Sequence, residues 1–303
     1  MSNKLYTLNE HYFDQIDTED KAYFLGLLYA DGCNYEDQGV VKIDLIEQDS
    51  YILEQLIECL NYTGQLAHYK AEAKTINGKS YECQPSCRLV FRNKHISETL
   101  ASYGLISNKS KYGKYIKNGI IPDYLYNHWV RGLLDGDGGL AYWVDNKTTD
   151  HKKFQIHYCK TTDMVNSLAG YLKNKFDCKP DITNRYSDRE NNNLQFSICG
   201  NNVVRRISDW LYKDAHYYLK RKYDKYLELI KENERKVNNK TLYGSMHPRR
   251  KVMYLPTGQI YESLADAERA TGTNRSNICV QAKKGNGKWQ YYDEMITASY
   301  MTK

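Results

Sequence analysis

Residues 22–32 read AYFLGLLYADG, and residues 128–138 read HWVRGLLDGDG. Both stretches set apolar residues around Gly-Leu-Leu, continue with a small residue and end on Asp-Gly. The two aspartates, Asp31 and Asp137, lie 106 positions apart. Self-similarity at a fixed spacing organises a chain before any local reading does.

The segments downstream of the two copies also match. After Asp31, VVKIDLIEQD (40–49) alternates apolar and polar residues as a half-buried strand should, and SYILEQLIECL (50–60) then places Ile52, Leu53, Leu56, Ile57 and Leu60 on one helical face. After Asp137 come GLAYWV, a turn-rich break, the strand KFQIHYCK and the helix MVNSLAGYLKNKF. Two further strands are predicted per half, in YECQPSCRLVFRN and in PDITNRY with LQFSICG. Each half closes on a helix, HISETLASYG or NVVRRISDWLYK. The order in both is helix, two strands, helix, two strands, helix, over a unit of roughly 105–115 residues.

A charged helical run (217–236) comes next, then polar, basic KVNNKTLYGSMHPRR without a clear period, which reads as a linker. The last fifty or so residues form a separate module. KVMYLPTGQIYES is a small hairpin turning at Thr257-Gly258. SLADAERATG is a short helix capped by Ser263 and ended by Gly272, and NRSNICVQAKKG starts a basic second helix, giving a helix-turn-helix pattern. The expected fold is therefore α+β, two pseudo-symmetric αββαββα repeats (1–122 and 123–235), a linker (236–250) and a C-terminal module (251–303).

The repeated segment carries its own physics. Gly26 and Ala30 are four apart, as are Gly132 and Gly136, so each pair shares a helix face on which two backbones can approach closely. Asp31 and Asp137 then fall side by side at the helix ends. Adjacent carboxylates repel and persist best around a divalent cation, and oxygen-only ligands point to Mg²⁺, with Mn²⁺ as a substitute. A single copy is better read as a packed helix with an Asp-Gly turn. Two copies with the same downstream order favour a paired site able to hydrolyse phosphodiesters.

The paired segments resemble the LAGLIDADG motif of homing endonucleases. Phe24-Leu25-Gly26-Leu27-Leu28-Tyr29-Ala30-Asp31-Gly32 aligns with its nine letters, as does Val130-Arg131-Gly132-Leu133-Leu134-Asp135-Gly136-Asp137-Gly138, with departures at Tyr29 and Arg131. The resemblance covers roughly residues 20–230. It implies two antiparallel sheets forming a saddle over double-stranded DNA. Asp31 and Asp137 would be metal ligands and catalytic residues at the minor groove, cutting both strands to short 3′ overhangs. It also implies basic residues near the scissile phosphate. Lys109 and Lys222 hold matching places after the closing helices, though each reads equally as a surface lysine; Gln48 and Lys160, at strand ends, are further candidates. Exposed strand residues would read bases in the major groove: Lys42, Asp44, Arg88, Arg92, Gln155, His157, Arg185, Gln195 and Ser197. The C-terminal segment resembles the modular domains that such nucleases append, with Arg275, Asn277, Gln281, Lys283 and Lys284 facing DNA; a small packing module with a solvated basic face is the other reading.

Composition agrees without deciding. The net charge is +6, and residues 213–303 hold 18 basic against 10 acidic side chains, which suits a polyanion or a solvated surface. The 29 tyrosines against 6 phenylalanines can stack on bases, but most should fill half-wet cores. The eight scattered cysteines, with only Cys83 and Cys87 close, fit reduced and mostly buried thiols rather than structural zinc. Mean hydropathy is −0.75, no apolar run could span a bilayer, and the N-terminus has no signal-like core. The expectation is a cytosolic monomer without a membrane partner. A second reading keeps the scaffold as a DNA-binding regulator or an RNA-splicing maturase, and the unlike neighbours Tyr29 and Asp135 allow the two halves to cut unequally.

Overall fold

The computed structural model describes residues 6–76, 79–144, 151–184, 193–244, 251–285 and 287–292. It divides into two compact units, residues 1–233 and 234–303.

In the first unit, helix α1 (Glu19–Asp31) is buried at every residue from Ala22 to Ala30. A helix that is apolar all round belongs inside a domain. Strands β1 (Gly32–Tyr35) and β2 (Val40–Ile46) come after it, then α2 (Ser50–Cys59), β3 (Ala67–Tyr69), β4 (Glu72–Ile76), β5 (Lys79–Cys83), β6 (Ser86–Arg92), α3 (Lys94–Tyr103) and the short α4 (Lys109–Tyr112). The second half runs α5 (Tyr126–Asp137), β7 (Gly138–Val144), β8 (Lys152–Thr161), α6 (Thr162–Phe176), β9 (Asp181–Thr183), β10 (Asn193–Cys199) and α7 (Asn201–Tyr212). The two four-stranded sheets have equivalent orders, β1-β2-β6-β3 and β7-β8-β10-β9, and every pairing within them is antiparallel. This is the α+β fold of two αββαββα repeats.

The repeats meet along α1 and α5. A Cβ added to Gly26 would collide with the Trp129 carbonyl oxygen, and one on Gly132 with the Tyr23 carbonyl oxygen. Only glycine admits backbones this close. Each sheet presses its alternate residues onto the helices: Val41, Ile43, Leu45, Cys87, Leu89 and Phe91 in one half, Phe154, Ile156, Tyr158, Phe196 and Ile198 in the other. The opposite faces stay open.

Several expectations change. The YEC of YECQPSCRLVFRN lies in β5, which among the described residues pairs only with β4, as a separate hairpin. The strand beside β6 is β3, whose three residues are all exposed and so lack the alternation that marks a strand. Residues 236–244, which have no clear period, continue helix α8 (Lys220–Gly244), within which the two units divide. The thiols are free but not mostly buried: Cys87 is buried, Cys199 exposed and the other six intermediate. Most tyrosines do pack into or against the core. Among the described residues no helix is long and apolar enough to cross a membrane.

In the second unit, β11 (Val252–Tyr254) pairs with β12 (Gln259–Tyr261), turning through Gly258 at φ 70°. Helix α9 (Leu264–Thr271) starts at Ser263, whose hydroxyl accepts from the Asp266 N–H at 3.2 Å and donates to its carboxylate at 2.7 Å. It stops at left-handed Gly272, before α10 (Arg275–Lys284). A strand that sequence periodicity does not signal, β13 (Trp289–Tyr291), pairs on the other side of β11. Val252, Ala267, Ile278, Ala282, Trp289 and Tyr291 form this unit's own core.

Candidate active site

The close packing of α1 and α5 fixes where their last residues fall. A Cβ on Gly136 would lie 2.8 Å from Asp31 Oδ2 and would overlap the Ala30 side chain, so the small residue leaves room for the carboxylate of the other repeat. Asp31 and Asp137 each end a helix and lead directly into the first strand of a sheet. Burial, and then the charge of Asp137, push the Asp31 carboxyl up to about 6, against the pull of Lys109 and Lys160.

Three lysines gather here. The Lys109 ammonium, from the start of α4, donates to the Tyr29 carbonyl at 2.6 Å and also to that of Ala30. Lys160, near the end of β8, donates to the Ala30 carbonyl at 2.9 Å and bonds the Asp137 carboxylate. Lys222, in the first turn of α8, donates to the Gly138 carbonyl and packs over Gly139, whose φ of 135° only glycine tolerates well. Burial, and then Lys160, pull Lys109 down to about 7; burial, and then Arg221, pull Lys222 down to about 8.

Asp31, Asp137, Lys109 and Lys222, singled out from sequence, thus surround the two motif ends, and Lys160 joins them. Gln48 is exposed on the 3₁₀ turn Glu47–Asp49. By strand register Lys160 corresponds to buried Leu45, since Gly32 pairs with Ile43 as Gly138 pairs with Tyr158. Only one repeat therefore supplies this third ammonium.

Asp135 and the two departures from the motif, Arg131 and Tyr29, are structural. Asp135 is fully buried and accepts from the hydroxyls of Tyr212 (2.7 Å) and Tyr23 (3.0 Å) and from the Leu219 N–H (2.9 Å). Arg131, also fully buried, donates to the carbonyls of Leu211 and Tyr217 and to Glu19, each at 2.7 Å. Together they hold the 211–219 segment against the helix pair. Tyr29, at the place of Asp135 in the first motif, instead donates to the Tyr103 carbonyl.

The donors at the motif ends are two carboxylates and the carbonyls of Tyr29, Ala30 and Gly138, all oxygens, and lysine ammonium groups already rest on them as cations. That set fits a hard divalent ion.

On the open sheet faces, Lys42, Asp44 and Arg88 lie together. Asp44 pairs with Lys42 at 2.7 Å and with Arg88, and the Arg88 guanidinium stacks on Tyr69, 4.9 Å from the ring centroid. Arg92 is exposed; Gln155, His157, Gln195 and Ser197 are half-exposed on the open face of the second sheet, with His157 and Ser197 paired in register. Arg185 lies outside the described residues. On α10, Arg275, Asn277, Lys283 and Lys284 are exposed, though Arg275 pairs with Glu268 at 3.2 Å. Gln281 turns inward, accepting from the Lys288 N–H at 3.0 Å.

Neither a protein-family model nor a curated protein matches the chain. Solved structures do. The meganuclease I-SmaMI bound to uncleaveable DNA with a TTGT central four superposes with a TM-score of 0.50 and 13% identity, over 72% of this chain and 90% of that one. The LAGLIDADG homing endonuclease I-GzeII in complex with its DNA target gives 0.49 and 14%, over 72% and 92%. At this identity the likeness is one of fold: the chain has the fold of the LAGLIDADG homing endonucleases.

Proposed function

We propose that the chain is a site-specific, divalent-metal-dependent endonuclease for double-stranded DNA. The observation that carries this reading is the meeting of Asp31 and Asp137, one from each repeat, at the close-packed ends of α1 and α5, ringed by Lys109, Lys160 and Lys222. The known nucleases of this fold that are solved with DNA support it.

Asp31 and Asp137, with neighbouring carbonyls, would hold Mg²⁺, or Mn²⁺ in its place. Such an ion, when bound, lowers the pKa of a bound water and stabilises charge on the leaving oxygen. The lysines bring positive charge to the same place, so they bind the phosphate and stabilise the extra negative charge of the transition state. One aspartate per repeat gives one centre per DNA strand, and the expected products carry short 3′ overhangs. The open sheet faces, with Lys42, Arg88, Arg92, Gln155, His157 and Gln195, would track the major groove and read base edges. A single chain supplies both halves, so the enzyme would act as a monomer. The second unit, read as a helix-turn-helix module, would add contacts through α10.

The test is cleavage of a randomised DNA-site library by purified protein, with Mg²⁺ and with EDTA. Metal-dependent cutting at one long, partly degenerate site with 3′ overhangs is expected. Salt-sensitive binding to DNA or structured RNA with no cutting would replace this reading with the regulator or maturase.

A further inference from the structure

We propose that His11, Asp14 and His95 form a second metal site in the first unit, for a zinc-class transition-metal ion, which clips the segment preceding α1 to the start of α3. His11 Nδ1 lies 2.7 Å from Asp14 Oδ2, and His95 Nε2 lies 2.7 Å from Asp14 Oδ1, so two imidazoles grip the two oxygens of one carboxylate. One donor atom from each residue falls within 4.8 Å of the others, and the imidazole rings meet edge to face at 4.9 Å.

The backbone beneath is already set. The His11 N–H donates to Asn9 Oδ1 at 3.1 Å, and the Asp14 N–H donates to the His11 carbonyl at 3.2 Å. The Tyr103 hydroxyl, at the far end of α3, contacts the carbonyls of Phe13 (2.9 Å) and Asp14 (3.0 Å). His95 is the second residue of α3, which Asn93 caps by accepting from the Ile96 N–H at 2.9 Å. Side-chain rotations alone therefore separate the present cluster from a coordinating one. Ligand bonds of about 2.0–2.2 Å place neighbouring donors about 3.4 Å apart in a tetrahedron, so the two short pairs open and the longest separation closes.

The donor set decides the metal. Two imidazoles with one carboxylate suit zinc and its first-row neighbours, whereas Mg²⁺ and Ca²⁺ prefer oxygen alone. In the metal-bound state Nδ1 of His11 and Nε2 of His95 carry no proton, and each neutral ring holds its proton on the other nitrogen. All three side chains are exposed, which leaves the remaining positions to water. The sequence hides the site because its ligands come from two segments some eighty residues apart.

The probe is Zn²⁺ alone, titrated calorimetrically into the full chain carrying Asp31→Asn and Asp137→Asn, so that the paired aspartates do not compete. One ion per chain is expected, with a Zn²⁺-dependent rise in Tm. His11→Gln and His95→Gln should each weaken binding by about tenfold or more and abolish the rise, while leaving Tm in EDTA near that of the parent. Co²⁺ bound to the parent chain should absorb in the visible without an intense near-ultraviolet thiolate band, a readout that does not depend on how the variants fold. Unchanged Zn²⁺ affinity in both histidine variants, no binding to the parent chain, or a thiolate band would overturn the proposal.

Discussion

The ammonium of Lys160, carried by the second repeat, bonds the Ala30 carbonyl of the first repeat at 2.9 Å and the Asp137 carboxylate of its own. It ties the two motif ends together, and the equivalent place in the first sheet holds buried Leu45. The two repeats therefore contribute unequally to the charge at the motif ends. Lys160→Met should lower the cleavage rate by about 10²–10³-fold, as removal of one transition-state donor does elsewhere. Steady-state kinetics beside a DNA-binding titration checks this. An affinity loss as large as the loss in kcat would make Lys160 a simple phosphate anchor.

The glycine contact between α1 and α5 gives a stability prediction with an internal control. Gly26→Ala drives a methyl into the Trp129 carbonyl and should destabilise the fold by about 1–3 kcal/mol. Gly170→Ala, in α6 with nothing within 4 Å of the new methyl, should stabilise it by up to about 1 kcal/mol through helix propensity. Urea midpoints of the two variants should move in opposite directions.

Glu19 sets a pH dependence. Burial raises its carboxyl, but the His216 hydrogen bonds and the Arg131 charge more than offset this and hold it below the usual 4.5. A lowered folded-state pKa stabilises the fold above the unfolded value and loses that contribution as pH falls through the folded one. Glu19→Ala also strands buried Arg131, and should cost about 3 kcal/mol at neutral pH. Denaturant unfolding from pH 7 to pH 3 should show the gap to the parent chain closing only below about pH 4.5. A gap that stays constant would mean that Glu19 acts through packing.

If α10 of the second unit meets phosphates, Lys283→Ala with Lys284→Ala should weaken binding to all sequences alike. The slope of log affinity against log salt should fall by about one per lysine. An unchanged slope would assign these exposed side chains to solvent.

The sequence showed the site's frame because its cause is periodic: Gly26, Ala30, Gly132 and Gly136 recur at helical spacing, and each aspartate ends a helix. Lys160 stood out less, since its role depends on strand register, which shifts every side chain to the other face on a one-residue slip. Strand β3 escaped because exposed edge residues carry no alternation, and β13 because three residues are too few to show a period. Arg131 looked like a tolerated departure from a motif and Asp135 like a motif letter without a task, and their burial in hydrogen-bonded networks emerges only when Tyr23, Tyr212 and the 211–219 segment fold around them.

The most direct measurement is cleavage of a plasmid bearing the library-selected site by Asp31→Asn and Asp137→Asn separately, with Mg²⁺ present and binding measured in parallel. Neither variant should cut both strands, and both should still bind the site. Double-strand cutting at the parent rate by either one would contradict the assignment of the paired aspartates as the catalytic centre.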